Sequence, residues 1–153
     1  MFTFSALHKA QQILFGKLST GDDQQEKIAL ACEFWNAVIA EFQDLQDVST
    51  GKALASDLRA NTVHAHGVML HAIATVGQVL FELKLDWKHH IKALSGIDWS
   101  RENVHWRNRV LSFGKINKGR INTDLAANYI LKEMGIELPP RLAAIEDKHI
   151  FEF

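Results

Sequence analysis

The sequence predicts an all-α fold, a single bundle-like domain of six to seven helices around one central apolar helix at about residues 61–83. Along most of the chain, hydrophobic residues recur every three or four positions, which is the period of one helix face. The only two prolines are adjacent, at Pro139 and Pro140, so most of the chain lacks the strongest helix breaker. A length of 153 residues with 47% hydrophobic content is typical of one globular domain with its own core.

The first half of the chain predicts two helices before the central one. A short first helix has Ser5 as its candidate cap. A long second helix, over about residues 22–46, takes Asp22 or Asp23 as its cap and carries acidic side chains on its outer face. Residues 47–58 contain turn-forming residues and are predicted to be a loop.

The second half predicts a central helix followed by shorter ones. Residues 61–83 are apolar on most sides, and the small residues among them would let a neighbouring helix approach closely. Asp86 can cap a short helix through Leu94. A helix capped by Asn122 or Thr123 should run through Met134, followed by Gly135 in the C′ position. A last helix is expected over residues 141–148, with Pro140 in its first turn. The segment 109–113 is the only strand candidate, and it has no obvious partner.

Positive charge is concentrated late in the chain. Between Arg101 and Arg120 there are six Arg or Lys residues and one acid, Glu102, although the formal net charge of the whole protein is −1. Glycines within this stretch let the backbone approach another surface, and the amide groups that begin the next helix add positive potential. Arginine can bind phosphate oxygens with two hydrogen bonds. The predicted nucleic-acid-binding residues are Arg101, Arg107, Arg109, Lys115, Lys118, Arg120, Asn122 and Trp106.

The basic stretch has alternative interpretations. Trp99 and Trp106 could stack on bases, as aromatic residues do in single-strand binders. Alternatively, both tryptophans anchor the core, and the basic side chains form ion pairs with the acidic helix of residues 22–46. A third possibility is a protein partner with an acidic face. Charge alone predicts no base-specific recognition.

Catalytic and metal sites have weaker support. His64, His66 and His71 share one predicted helix, but their spacing differs from the four-residue spacing of metal-binding helices, so packing or hydrogen bonding in the core is the favoured role. Cys32 lacks an activating cation and is interpreted as a small core residue. No phosphate-binding loop with Walker spacing occurs. We therefore predict no catalytic residue, no metal and no cofactor.

Composition also bears on location. A single cysteine excludes an intramolecular disulfide and favours a reducing compartment. No apolar run approaches the length needed to cross a bilayer, and the amino terminus lacks a signal-peptide pattern. The expectation is a cytoplasmic protein without membrane contact.

Three segments occur in order along the chain, namely FTFSALHKAQQILFG, HAHGVMLHAIATVG and IDWSRENVHWRNRVLSFGKINKGRINTDLAANYILKEMGIEL. Together they resemble the carboxy-terminal half of the DndB and DGQHR-domain family of DNA sulfur modification proteins. The resemblance implies a bacterial protein that regulates or assists DNA phosphorothioation, with DNA binding and transcription regulation as its expected activity. It also implies that residues 1–153 form one helical domain, a fragment of a longer protein or a short relative, because no DGQHR motif occurs here. The positions that match the family are Asp98, Trp99, Arg101, Asn103, Trp106, Arg109, Gly114, Arg120 and Asn122.

The function predicted from the sequence is a DNA-associated, non-enzymatic module that contacts the DNA backbone, with other proteins of the modification system as possible partners. The alternative is a protein-interaction or scaffold domain without nucleic-acid contact. A hydrolase or nuclease component is a third hypothesis, and it would need one of the three histidines to meet a carboxylate in a cleft.

Overall fold

In a computed structural model, which describes residues 2–16 and 23–149, the chain folds almost entirely into helices. The α-helices are α1 (Phe4–Phe15), α2 (Asp23–Ala40), α3 (Gln43–Ser49), α4 (Ala55–Asn61), α5 (Gly67–Glu82), α6 (Trp87–Ile91), α7 (Arg120–Glu133) and α8 (Pro140–Asp147). Two 3₁₀ segments, Lys92–Gly96 and Val104–Trp106, and two short strands, β1 (Leu111–Ser112) and β2 (Lys115–Ile116), lie between α6 and α7. The all-α prediction is confirmed, with eight α-helices in the described ranges.

Helix α5 is the centre of the fold, as the sequence predicts. Most of its residues are buried, and it packs chiefly against α1 and α7. Gly77 shows why a small residue is needed there. A Cβ atom at this position would lie 2.5 Å from Leu14 Cδ1 and 2.6 Å from Phe34 Cζ. The absence of a side chain at Gly77 therefore lets residues of α1 and α2 pack directly on α5.

Helix α5 begins at Gly67, six residues later than predicted. A bridge and a turn precede it instead, since Thr62 forms an antiparallel bridge with Ser100, the Val63 amide donates to the Trp99 carbonyl at 2.9 Å and the His66 amide donates to the Val63 carbonyl at 3.2 Å. A non-local backbone pairing has overridden the local helical pattern. This pairing fixes the segment around Trp99 against the start of the central helix.

The predicted helix over residues 22–46 is divided in two. The chain leaves the helical conformation at Phe42, whose φ is −117° and ψ is 86°, and α3 starts at the next residue. The interruption directs the Phe42 ring into the core, 4.8 Å from the His64 ring and 5.2 Å from the Trp99 ring. Helix α4 then occupies part of the predicted loop. Asp22, one of the two candidate caps, lies outside the described residues.

Two smaller predictions in the amino-terminal half were wrong. Thr3 rather than Ser5 caps α1, with its Oγ1 accepting from the Ala6 amide at 3.2 Å. Cys32 is exposed on α2 rather than in the core, because the buried face of that helix passes through Ala31 and Phe34.

The carboxy-terminal half contains a hairpin that the sequence only partly indicates. Strand β1 lies within the predicted strand segment, and its partner β2 follows after a two-residue turn. Helix α7 begins at Arg120, with Gly119 as its N-cap, so neither Asn122 nor Thr123 is the cap. The predicted end is confirmed, since Gly135 follows the C-cap with a φ of 72°. Pro140 opens α8 as expected.

Candidate nucleic-acid interface

Both tryptophans of the basic stretch are buried. Their rings stack on each other at 5.3 Å between centroids, and each indole N–H is already bonded to backbone. Trp106 Nε1 donates to the Asp98 carbonyl, and Trp99 Nε1 donates to the Leu94 carbonyl, both at 2.9 Å. Trp106 also meets the ring of Tyr129 on α7 edge-on. The predicted stacking of Trp106 on bases was therefore wrong, and its role is to anchor the loop to α7.

Arg109 is also buried, which corrects its assignment as a surface cation. Its guanidinium binds Glu146 with two hydrogen bonds, and its Nη1 also donates to the Leu125 carbonyl at 2.8 Å. Lys132 and Asn128 donate to the same carboxylate. Burial alone would raise the pKa of Glu146, but hydrogen bonds from these three side chains outweigh burial and lower its pKa to about 2. The partner acid belongs to α8 rather than to the acidic helix that the sequence indicated.

Asn122 and Arg101 bind mainly to the chain itself. Asn122 Nδ2 donates to the Arg109 carbonyl at 2.6 Å, which ties the first turn of α7 to the preceding loop. Arg101 Nη2 donates to the Arg59 carbonyl at 2.8 Å, and its Nη1 donates to the Gly114 carbonyl at 3.3 Å. Arg101 thus connects α4 to the hairpin while remaining partly exposed. Both residues position the surface, and only Arg101 can also contribute charge to it.

The other four predicted cations, Arg107, Lys115, Lys118 and Arg120, are exposed. None of them forms an ion pair with a carboxylate within the described residues. We refer to these four residues as the basic face. Two of them belong to the hairpin region, since Arg107 precedes β1 and Lys115 is the first residue of β2 in the hairpin. Next to it lies a cavity of about 390 Å³ lined by Arg101, Arg107, Asn108, Leu111, Ser112, Phe113 and Gly114. Among the residues that the structure describes, no carboxylate lines this cavity.

Lys118 belongs to a second cavity, of about 340 Å³, at the start of α5. Basic side chains from three other parts of the chain line it together with Lys118, namely Lys9, Arg59, His66 and His71. No Asp or Glu of residues 2–16 and 23–149 lines this cavity either, and the amino terminus of α5 adds positive potential. Lys9 and Arg59 lie far from Lys118 in the sequence, so a search for a local charge cluster could not find them.

Arg120 faces a third cavity, of about 360 Å³, that it shares with Lys9 and Arg141. One carboxylate, Asp124, lines this cavity, but Arg141 Nη1 already binds it at 3.0 Å. The three cavities therefore present Arg and Lys side chains from α1, α4, α7, α8 and the hairpin segment.

The three histidines of the central segment make structural contacts, which confirms the packing and hydrogen-bonding role predicted for them. His64 binds Asp44 at 2.9 Å between the rings of Phe42 and Trp99. The Nε2 atoms of His66 and His71 lie 3.0 Å from the carbonyls of Arg59 and Ala6. Burial lowers the pKa of all three histidines. Within residues 2–16 and 23–149, no group of three or more His, Cys, Asp or Glu could hold a metal ion.

The tip of the hairpin holds a residue that the sequence analysis did not select. Phe113 has a φ of 50° and is fully exposed, at 105% of its reference area. The segment RVLSFGK is notable for its positive charge and its strand propensity, and neither property identifies an aromatic residue at a turn. A phenylalanine followed by glycine between two short strands was the available signal.

Comparison with known proteins agrees with the resemblance found in the sequence. A family model described as DndB, DNA-sulfur modification-associated, matches residues 1–137, which is nearly the whole chain. No curated protein and no solved structure matches it. None of the described helices is both long enough and apolar enough to cross a membrane. The chain belongs to the DndB family of DNA-sulfur modification-associated proteins.

Proposed function

We propose that this chain is a regulatory DNA-binding module of a DNA sulfur modification system and that it contacts the phosphate backbone through the basic face. The observation that carries the proposal is the unpaired state of the four cations: Arg107, Lys115, Lys118 and Arg120 have no carboxylate partner among the described residues. Membership in a family associated with DNA modification supports DNA as the polyanion.

Electrostatics favours a polyanionic partner for this face. The protein as a whole is nearly neutral, so net charge gives it no general attraction to DNA. Exposed cations raise the local potential at this surface, because none of the four forms an ion pair with a carboxylate of the described residues. Phosphate contacts of this kind fix position and register and carry no sequence information. The proposal therefore covers backbone binding and leaves base recognition to other groups.

The geometry of the basic face also supports more than one phosphate contact. Arg107 lines the hairpin cavity and Lys115 begins strand β2 of the same hairpin, whereas Lys118 lines the cavity beside the start of α5 with Lys9 and Arg59. Arg101 hydrogen-bonds to the backbone at both places, through Gly114 at the hairpin and Arg59 at the end of α4. Because this arginine bridges the two cavities, a backbone that follows the surface can bind cations in both.

We infer that the protein acts in the cytoplasm, where DNA is present, beside other proteins of the modification system. Binding rather than catalysis is assigned to the basic face, because cations alone suffice to hold phosphate.

The proposal is tested by measuring duplex DNA affinity as a function of salt. Replacing the four residues of the basic face with Gln should weaken binding and reduce the slope of log affinity against log salt by about three to four, since each lost phosphate contact removes about 0.9. The matched control replaces Lys27, Lys84, Lys88 and Lys92 with Gln. It changes net charge equally, but these residues lie near the carboxy-terminal end of α5 and on α6 and the segment after it.

The control variant should keep the slope of the parent. Equal slopes for the parent and the basic-face variant would contradict the proposal. Equal losses in both variants would show that only net charge matters, which would also contradict a specific face.

A second candidate function, a docking domain for another protein, is favoured by one apolar feature. A cavity of about 190 Å³ between α1, α2 and α5 is lined almost entirely by apolar side chains, with Leu7 and Ile39 about half exposed at it. The docking function would be favoured over DNA binding if the parent protein showed no salt-dependent DNA binding.

A further inference from the structure

The turn of the β-hairpin contains an aromatic residue in an unfavourable conformation. Phe113 and Gly114 connect β1 to β2, and their φ angles are both positive, at 50° and 73°. A two-residue turn of this kind prefers Asn, Asp or Gly at its first position, because a larger L-residue in the left-handed region suffers steric repulsion. Phenylalanine therefore opposes the local backbone conformation at this position.

The Phe113 side chain gains nothing from the folded protein to offset this cost. Its exposure of 105% means that the ring is as accessible as in a short extended peptide. Phe4, the other strongly exposed phenylalanine among the described residues, differs in both respects. It lies in α1 with helical backbone, and its ring stacks on His8 with centroids 6.4 Å apart. A residue that is strained and fully solvated is best explained by a contact outside the molecule.

The hairpin that carries Phe113 is braced at its base. The Asn108 amide donates to the Leu111 carbonyl at 2.9 Å, and Asn117 Nδ2 donates to Ser112 Oγ at 2.9 Å. Arg101 Nη1 holds the carbonyl of Gly114 from the other side at 3.3 Å. These hydrogen bonds fix the position of the hairpin tip, so the Phe113 ring projects from a rigid turn.

The surroundings of the ring are cationic. Arg101, Arg107 and Phe113 line the same cavity, and Lys115 follows the turn directly. No carboxylate from the described part of the chain lines that cavity. A protein pocket that accepted the ring would also have to neutralise these cations. A nucleic acid satisfies both needs, because its phosphates bind the cations and its bases offer apolar faces beside them.

We infer that Phe113 is a base-contacting residue, whose ring stacks on a nucleobase that is unpaired or opened by the hairpin while Arg107 and Lys115 hold the flanking phosphates. The inference rests on the proposed function and adds to it a contact with the bases. Apolar side chains act in this way in proteins that wedge between base steps and in proteins that bind single strands.

The test uses a single-stranded oligonucleotide with one 2-aminopurine, a base whose fluorescence reports stacking. Binding of the parent protein should change the emission. Phe113→Asn, which suits the turn, should bind roughly tenfold more weakly, as expected for the loss of one aromatic–base stack, and should abolish the emission change. Its salt slope should equal that of the parent, because no cation is removed. Phe113→Trp should restore affinity and emission, and Phe4→Ala is the matched control for an exposed phenylalanine.

The outcomes separate this inference from the function on which it rests. If Phe113→Asn binds like the parent while the basic-face variant loses binding, the inference falls and backbone binding stands. If the parent binds without any change in emission, base stacking is likewise excluded. The Phe113 ring would then be assigned to a pocket on a protein partner. Loss in Phe113→Asn with recovery in Phe113→Trp supports the inference. A parent protein that binds duplex DNA but not the oligonucleotide would overturn the inference alone, and a parent that binds neither would overturn both.

Discussion

Arg107 and Arg109 are two residues apart in the sequence, yet they lie in opposite environments. Arg107 is exposed beside the hairpin without an acidic partner in the described parts of the chain, whereas Arg109 is buried and bound to Glu146. Helix α8 makes the difference, since it brings a carboxylate to one arginine and not to the other. Local charge density predicts where cations are numerous. The folded contacts of distant helices decide which of them remain available to a ligand.

The largest difference between the two arginines is expected when each is replaced separately. Arg109→Gln and Arg107→Gln lower the charge equally. Arg109→Gln leaves the Glu146 carboxylate partly buried without its main partner and should destabilise the fold by about 3 kcal/mol. For a chain of this size that corresponds to a fall of roughly 10 °C in Tm. Arg107→Gln should change stability by less than about 0.5 kcal/mol.

Urea and thermal unfolding measure both variants, and Lys132→Gln provides an intermediate case. Lys132 binds the same carboxylate but is about half exposed, so its replacement should cost at most about 1 kcal/mol. Arg109→Gln with the stability of Arg107→Gln would refute the structural role assigned to the buried pair.

Acidification should destabilise the histidine-containing central segment and the buried Glu146 ion pair at different pH values. Burial lowers the pKa of His64, His66 and His71 below the ordinary value of 6.5, so the unfolded chain binds protons more readily than the folded one. Their contribution to stability is complete above about pH 6.5 and is lost as the pH falls below it. The pKa of Glu146, about 2 against 4.5, places its contribution above pH 4.5, and that contribution is lost as the pH falls toward 2.

We therefore expect two losses of stability on acidification, one beginning near pH 6.5 and another beginning near pH 4.5. Unfolding free energies measured from pH 8 to pH 3 test this order. His66→Gln should reduce the first loss and leave the second unchanged. A parent protein whose stability is flat between pH 7 and pH 5 would contradict the first assignment.

Several parts of the fold were predictable because they depend on local interactions. The apolar pattern of α5 fixed its central place, and Gly135 and Pro140 marked the end of α7 and the start of α8. The division of the second predicted helix at Phe42 was not predictable in this way, because Phe42 packs against His64 and Trp99, which come later in the chain. Helix periodicity contains no information about those partners.

The same limit applies to the site. Of the residues predicted from the basic stretch, Arg107, Lys115, Lys118 and Arg120 lie on the surface, whereas the fold buries Arg109 and Trp106. A side chain's charge or aromaticity does not reveal whether α7 and α8 will cover it. Phe113 is the opposite case, a hydrophobic residue that the fold leaves exposed. Hydrophobic residues are expected inside, and only the backbone conformation of its turn identifies this one as an exception.

Substitution in the hairpin turn should change stability less than substitution in the buried ion pair, and in the opposite direction. In the buried pair, substitution should cost stability, whereas Phe113→Asn should increase stability by about 0.5–1 kcal/mol, because Asn tolerates a positive φ and the exposed ring contributes no packing. Urea unfolding measures the gain, and Phe4→Asn, at an exposed helical position, should show none. A destabilised Phe113→Asn would mean that the ring supports the hairpin, which would remove the reason for assigning it to an external partner. A more stable variant that binds nucleic acid less well would show strain retained for function, the opposite of the relation at Arg109.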